Sequence, residues 1–116
     1  KQDIAPIDPA VTRAWSKVQV KQYRLKSDPS KLQFGYIAQD IIAAFKSEGL
    51  DALATGVANK DDGPDGWLGV NYDMCAVLDH AVRTRQSIIT RIVRAVLARA
   101  HHFASCVRTY NFFNKP

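Results

Sequence analysis

The sequence predicts an α+β fold: a small head of β-hairpin and helix, followed by one long C-terminal helix that assembles into a helical bundle. Three observations predict it. Hydrophobic period changes from two to helical between residues 18 and 48, around a turn-rich Lys26-Ser27-Asp28-Pro29-Ser30. A breaker-dense stretch, Asn59 to Gly66, then interrupts the chain. From Met74 to about Phe113 there is neither Pro nor Gly, and apolar residues recur at helical spacing.

Taken in order, Asp8-Pro9 is a helix start, a side-chain acceptor at the cap followed by proline in the first turn. Ala10, Val11, Ala14, Trp15 and Val18 fall near helical spacing, so a short amphipathic helix is expected over 9–17. Val18 to Leu25 alternates as a half-exposed strand, and Leu32 to Ile37 is the returning strand of a hairpin. Ala38, Ile41, Ile42 and Phe45 share a stripe over 38–48, closed by Gly49 where a left-handed C-cap belongs. Between Leu50 and Gly69 the pattern dissolves, Asn59 to Gly66 forming a long polar loop; the stretch from Leu50 to Gly66 is expected to reach outwards, with Trp67 anchoring its base and a short strand over Trp67–Tyr72 beyond it. Asp73 is the expected cap of the last helix. The predicted organisation is one domain over 1–116, with a head over 1–72 and an oligomerisation helix over 73–113.

Val82, Ile89, Val93, Val96, Ala100, Phe103 and Val107 follow a heptad seam, Gln86 standing at its one polar position. A helix of about 40 residues is roughly 60 Å long, more than a domain this small can cover, so its second half needs partners outside the monomer. Ile92, Leu97 and Ala104 widen the stripe towards three strands or more.

An apolar fraction of 47% suffices for a packed core. No apolar run approaches the roughly 20 residues a bilayer requires, and residues 1–20 carry no signal-peptide pattern, so no membrane partner is expected. Cys75 and Cys106, roughly 46 Å apart if on one helix, cannot bridge within a chain and suit reduced buried thiols. His101-His102 point to different helix faces, Asp61, Asp62 and Asp65 miss the calcium-loop spacing, and the glycines form no phosphate-binding fingerprint. No cofactor or metal is expected. Ser16, Ser47, Ser87 and Ser105 have no nucleophile motif around them, and His80, like the other histidines, suits an interface or surface role.

The net charge of +5 is unevenly spread. Residues 80–116 hold Arg83, Arg85, Arg91, Arg94, Arg99, Arg108 and Lys115 without one acidic side chain. Such a block suits a nucleic acid, an anionic membrane surface or an acidic protein partner, or simply the solvated face of a long helix. No base-reading motif accompanies it, which argues against nucleic acid.

Three stretches resemble, in order, the self-cleaving intramolecular chaperone domains that end many phage tail spikes and tail fibres, including phage endosialidases. That family opens with a Ser-Asp pair, a Leu-Lys and an Ile-x-Pro-Ile-like segment, and Lys1-Gln2-Asp3-Ile4-Ala5-Pro6-Ile7 looks like this opening from its lysine onwards. Phe34-Gly35-Tyr36-Ile37-Ala38-Gln39 resembles its Gly-x-Ile-Ala-Gln strand end, preceded by the tyrosine-bearing Val20-Lys21-Gln22-Tyr23-Arg24. Gly69-Val70-Asn71-Tyr72-Asp73 resembles its Tyr-Asp entry into the C-terminal helix. Past Arg83 the likeness is only to a long helix, and the ending Tyr110-Asn111-Phe112-Phe113-Asn114-Lys115-Pro116 departs from the pattern.

The resemblance implies a homotrimer that assists folding of its own preceding fibre or spike chain in the host cytoplasm. It is then released by serine-dependent autoproteolysis at its N-terminal boundary and is absent from the mature tail protein. It places the general base at Lys1, with the nucleophilic serine upstream, so this chain alone is expected to be inactive. The alternatives are a basic-helix module for nucleic acid or an acidic partner, and a trimerisation domain that stays attached to its fibre.

Overall fold

The computed structural model describes the backbone of residues 1–113 and the side chains of residues 1–102. The order is α1 (Pro9–Trp15), β1 (Lys21–Arg24), β2 (Leu32–Gly35), α2 (Ala38–Ser47), a 3-10 turn (Ala52–Ala54), β3 (Ala58–Lys60), β4 (Leu68–Val70) and α3 (Tyr72–Phe113). The fold is α+β, with two small antiparallel hairpins and a long C-terminal helix. The chain divides into two compact units, one spanning Lys1–Val82 and one beginning at Arg83.

Asp8 caps α1 as its type dictates: Oδ1 accepts the Ala10 amide at 2.9 Å, and Pro9 occupies the first turn, where no amide is needed. The helix buries Thr12, Ala14 and Trp15. In the first hairpin Lys21 pairs with Gly35, Gln22 with Phe34, Tyr23 with Gln33 and Arg24 with Leu32. Its connection is closed from within. Asp28 accepts the hydroxyl and amide of Ser30, and the Arg24 guanidinium donates to the carbonyls of Pro29 and Ser30 at 3.0 and 3.2 Å. These strands are shorter than the alternation over 18–25 and 32–37 suggests, because Val18 leaves the ladder to pack on the core.

Helix α2 turns Ala38, Ile41, Ala44 and Phe45 inward. Gly49 takes φ 72°, and the Gly49 and Leu50 amides donate to the carbonyls of Lys46 and Phe45, the left-handed ending expected there. The core joins Ala14, Trp15, Ile41, Phe45, Ala52, Val57, Ala58 and Cys75. Each large apolar side chain buried there contributes about 1.5–3 kcal/mol.

Whereas β4 falls within the strand expected over Trp67–Tyr72, the stretch from Leu50 to Gly66 departs from expectation. It is not one outward loop: Asp51 caps the 3-10 turn, Ala52, Val57 and Ala58 are buried, and β3 pairs with β4 in the register Ala58–Val70, Asn59–Gly69, Lys60–Leu68. Asn59 and Lys60 are exposed on this strand, so their polarity hides it from hydrophobic periodicity. Trp67 is 71% exposed, so it is the Trp67 backbone that holds the base of the turn, its carbonyl accepting the Asp61 amide at 2.8 Å next to β3 and β4.

The start of α3 also differs from expectation. Asn71, not Asp73, is the cap: its Oδ1 accepts the Met74 amide at 3.2 Å and its carbonyl accepts the Cys75 amide at 3.1 Å. Asp73 lies in the first turn, where a negative charge suits the helix dipole. Among the described cysteines Cys75 is buried and free, whereas the Cys106 side chain lies outside the described residues.

Candidate functional site

The two motif stretches of the head meet in space. Gly35 ends β2 where a Cβ would collide with the Tyr72 hydroxyl, so glycine is what lets the entry to α3 close onto the hairpin. The Tyr72 hydroxyl accepts the Tyr36 amide at 3.3 Å, and the rings of Tyr36 and Tyr72 lie 6.0 Å apart. Tyr36 also stacks at a tilt on Trp15, centroids 5.2 Å apart. One carboxylate ties this aromatic row together: Asp79 accepts the Trp15 indole N–H on Oδ1 at 2.7 Å and the Tyr36 hydroxyl on Oδ2 at 2.6 Å. Nothing in periodicity points to Asp79, because its partners are 64 and 43 residues away along the chain.

Beside this row opens a groove of about 370 Å³ lined by Tyr23, Tyr36, Gln39, Trp67, Leu68 and Tyr72. Desolvation, reinforced by the adjacent Tyr72, holds the Tyr23 hydroxyl above its ordinary range. The groove is open: Trp67 and Tyr72 in its lining are 71% and 50% exposed. A second, wholly apolar groove of about 230 Å³ lies among Val11, Phe45, Val57, Met74, Val77 and Leu78. A Cβ on Gly56 would come 2.7 Å from the Met74 sulfur, so glycine there lets Met74 seat.

Lys1 starts an exposed, irregular segment that runs to the cap of α1, with Ile4 84% exposed. Asp3 takes φ 54°, a left-handed conformation that Asp tolerates better than most residues. The hairpin side of the head is pinned by Lys21, whose Nζ lies 2.6 Å from Asp40. On the other side Glu48 receives Lys17 at 2.8 Å and Arg13 at 3.2 Å, and these hydrogen bonds hold its carboxyl below the usual range. Burial, with the Asp79 charge nearby, pushes the Cys75 thiol up to about 11, so it is a packed thiol and not a nucleophile at neutral pH. The Asp61 carboxylate accepts the Gly63 amide at 3.2 Å, and the Asp61 amide donates to the Trp67 carbonyl at 2.8 Å, so this residue serves the turn. Among the described residues no cluster of His, Cys, Asp or Glu could hold a metal ion, and no helix is long and apolar enough to cross a membrane.

In the unit beginning at Arg83 the seam is open to solvent: Ile89, Val93 and Val96 are 49%, 50% and 59% exposed. Beside it Ile92 and Leu97 are 58% and 63% exposed. The seam residues Phe103 and Val107 lie outside the residues whose side chains are described. Arg83, Arg85, Arg91, Arg94 and Arg99 are exposed along the same helix.

Residues 1–50 match a peptidase family described as chaperone of endosialidase. A tail spike protein of Escherichia phage K1E is 40% identical over 85 residues, covering 70% of this chain and 10% of that protein. This chain therefore spans about a tenth of that relative's length. A crystal structure of a novel intramolecular chaperone superposes with a TM-score of 0.65 at 29% identity, over 74% of this chain and 92% of that one.

Proposed function

The chain belongs to the chaperone-of-endosialidase family, and on that premise we propose that it is a trimerising intramolecular chaperone for the β-structured tail spike that precedes it. The observation that carries this is the row of exposed apolar residues from Ile88 to Leu97, which one chain leaves uncovered. Intertwined β trimers fold slowly and expose strand edges, so three chains held together at one end gain local concentration and a common register. The family implies self-cleavage in precursors. The finer proposal is a serine–lysine dyad, with Lys1 as general base for a serine a few residues before it, followed by loss of this chain from the mature tail.

A lysine acts as a base only as the neutral amine, and burial is what lowers an ammonium's affinity for its proton. Lys1 is exposed in the single chain, so assembly is the step proposed to bury it, which would couple cleavage to correct folding. The test is a spike precursor followed on native and denaturing gels. Lys1→Ala should yield a folded, uncleaved trimer, and Lys1→Arg the same because arginine stays charged. Ile89→Asp with Val96→Asp should yield aggregated, uncleaved spike. Cleavage of Lys1→Ala at the normal rate would exclude this lysine as the base, and native spike from the double aspartate variant would exclude the helix as the chaperoning element.

A further inference from the structure

The seam of the distal helix is made of two lines of residues, each with a spacing of seven. Val82, Ile89, Val96 and Phe103 form one, and Gln86, Val93 and Ala100 form the other, so Gln86 is a polar residue among apolar ones. Gln86, Ile89, Val93 and Val96 are exposed in the single chain. An amide is donor and acceptor at once, so a second amide satisfies it and hydrocarbon leaves it unpaired. When two such helices run parallel and level, each line meets itself, and Gln86 meets Gln86. Reversing one helix sets each line against the other, and every residue of the line then facing Gln86 is apolar. A slip of one or two heptads sets Gln86 against Val93 or Ala100. Among these arrangements, the parallel and level one alone pairs the amide.

The residues flanking the seam select the same arrangement. In parallel, level helices the two flanking lines meet with an offset of five residues, which brings Ile92 of one copy to Leu97 of its neighbour. Both are exposed in the single chain, and each covers the other there. The antiparallel alignment that sets Ile89 against Val93 instead sets Gln86 against Val96 and Leu97 against Arg83. We propose that Gln86 is the register-setting residue of the distal helix, its amide hydrogen-bonding the Gln86 amides of adjacent copies so that the chains align parallel and level. This rests on the self-association reading above and names the residue that makes the register common. Such a residue weakens association and sharpens register, because an apolar side chain in its place packs as readily in shifted or reversed bundles.

Disulfide cross-linking together with sedimentation equilibrium of the full chain tests this. Chains carrying Cys106→Ser and one of Ile89→Cys, Val93→Cys or Ala100→Cys are given tags of different size, mixed, and oxidised with glutathione disulfide. Cys75 is buried and stays out of the exchange. With Gln86 in place, cross-links should join like positions only. Gln86→Ile should associate at least about tenfold more tightly, the scale of burying an aliphatic side chain there. It should also yield mixed cross-links, of Val93→Cys chains to Ile89→Cys chains from reversed bundles and to Ala100→Cys chains from shifted ones. Gln86→Asn, which keeps the amide, should give like pairs again. Mixed pairs with Gln86 in place, like pairs only in Gln86→Ile, or weaker association of Gln86→Ile would each overturn the register role while leaving self-association standing. A chain that stays monomeric in every variant overturns self-association and the register role together, and assigns this face to another partner.

Discussion

Asp79 receives the indole of Trp15 and the phenol of Tyr36 on its two oxygens, and so joins α1, the end of the first hairpin and α3 through a single side chain. Trp15 is 3% exposed, so its N–H has little access to water if that acceptor is removed. Asp79→Ala should therefore lower stability by about 2–4 kcal/mol, two charge-assisted hydrogen bonds less what water restores. Asp79→Asn, which keeps one acceptor oxygen, should lose less. Urea denaturation followed by Trp fluorescence gives both values, and a midpoint unchanged in Asp79→Ala would show that the aromatic row stands on packing alone. The same scale explains why the Gly-x-Ile-Ala-Gln stretch has its residue types. Gly35 makes room for the Tyr72 hydroxyl, Ala38 is buried, and Tyr36 reaches Asp79.

The second hairpin is half missed by hydrophobic pattern, which gives β4 within the strand expected over Trp67–Tyr72 but not β3. Its inner end is core, with Val57 and Ala58 each 2% exposed, and its outer end, from Asp61 to Trp67, reaches into solvent. Removing residues 58–65 would take away β3 with the turn, so such a deletion should destabilise the head as well as any spike contact. Trp67→Ala separates the two effects. Being 71% exposed, Trp67 should cost less than about 0.5 kcal/mol of stability when replaced, the usual range for surface substitutions. If the groove rim of Trp67 and Tyr72 meets the folding spike, the same substitution should reduce the yield of native spike from the precursor. Unchanged stability together with unchanged yield would remove this rim from the chaperone surface.

At the scale of the molecule, the division after Val82 separates two kinds of stability. The unit Lys1–Val82 carries the buried cluster, both hairpins and the Asp79 knot. The helix beyond it has its apolar residues exposed through Leu97. A chain ending at Val82 should therefore fold with near-UV circular dichroism like that of the intact protein, yet sediment as a monomer at concentrations where the intact chain self-associates. Loss of folding in the truncated chain would mean that the head depends on assembly. Persistence of the oligomer would place the contact in the head, on the apolar groove beside Met74 and Val77.

Much of this was legible along the chain because it is local. The Asp8-Pro9 cap, the turn around Asp28 and Pro29, the left-handed Gly49 and the breaker-free run from Met74 are each dictated within a few residues by backbone sterics and helix periodicity. The change of hydrophobic period carried the α+β class, and the three stretches resembling the family, which are local too, carried the chaperone assignment. Tertiary structure decided whatever depends on residues distant in sequence. Asn59 and Lys60 are polar enough to pass for loop, and only pairing with Leu68 to Val70 makes them a strand. Asn71 displaces Asp73 as cap because its carbonyl and side chain both face the first turn of α3. The meeting of Gly35 with Tyr72, and of Trp15 and Tyr36 at Asp79, appears in no sequence period, since a hydrogen bond across 43 or 64 residues exists only once the chain has folded.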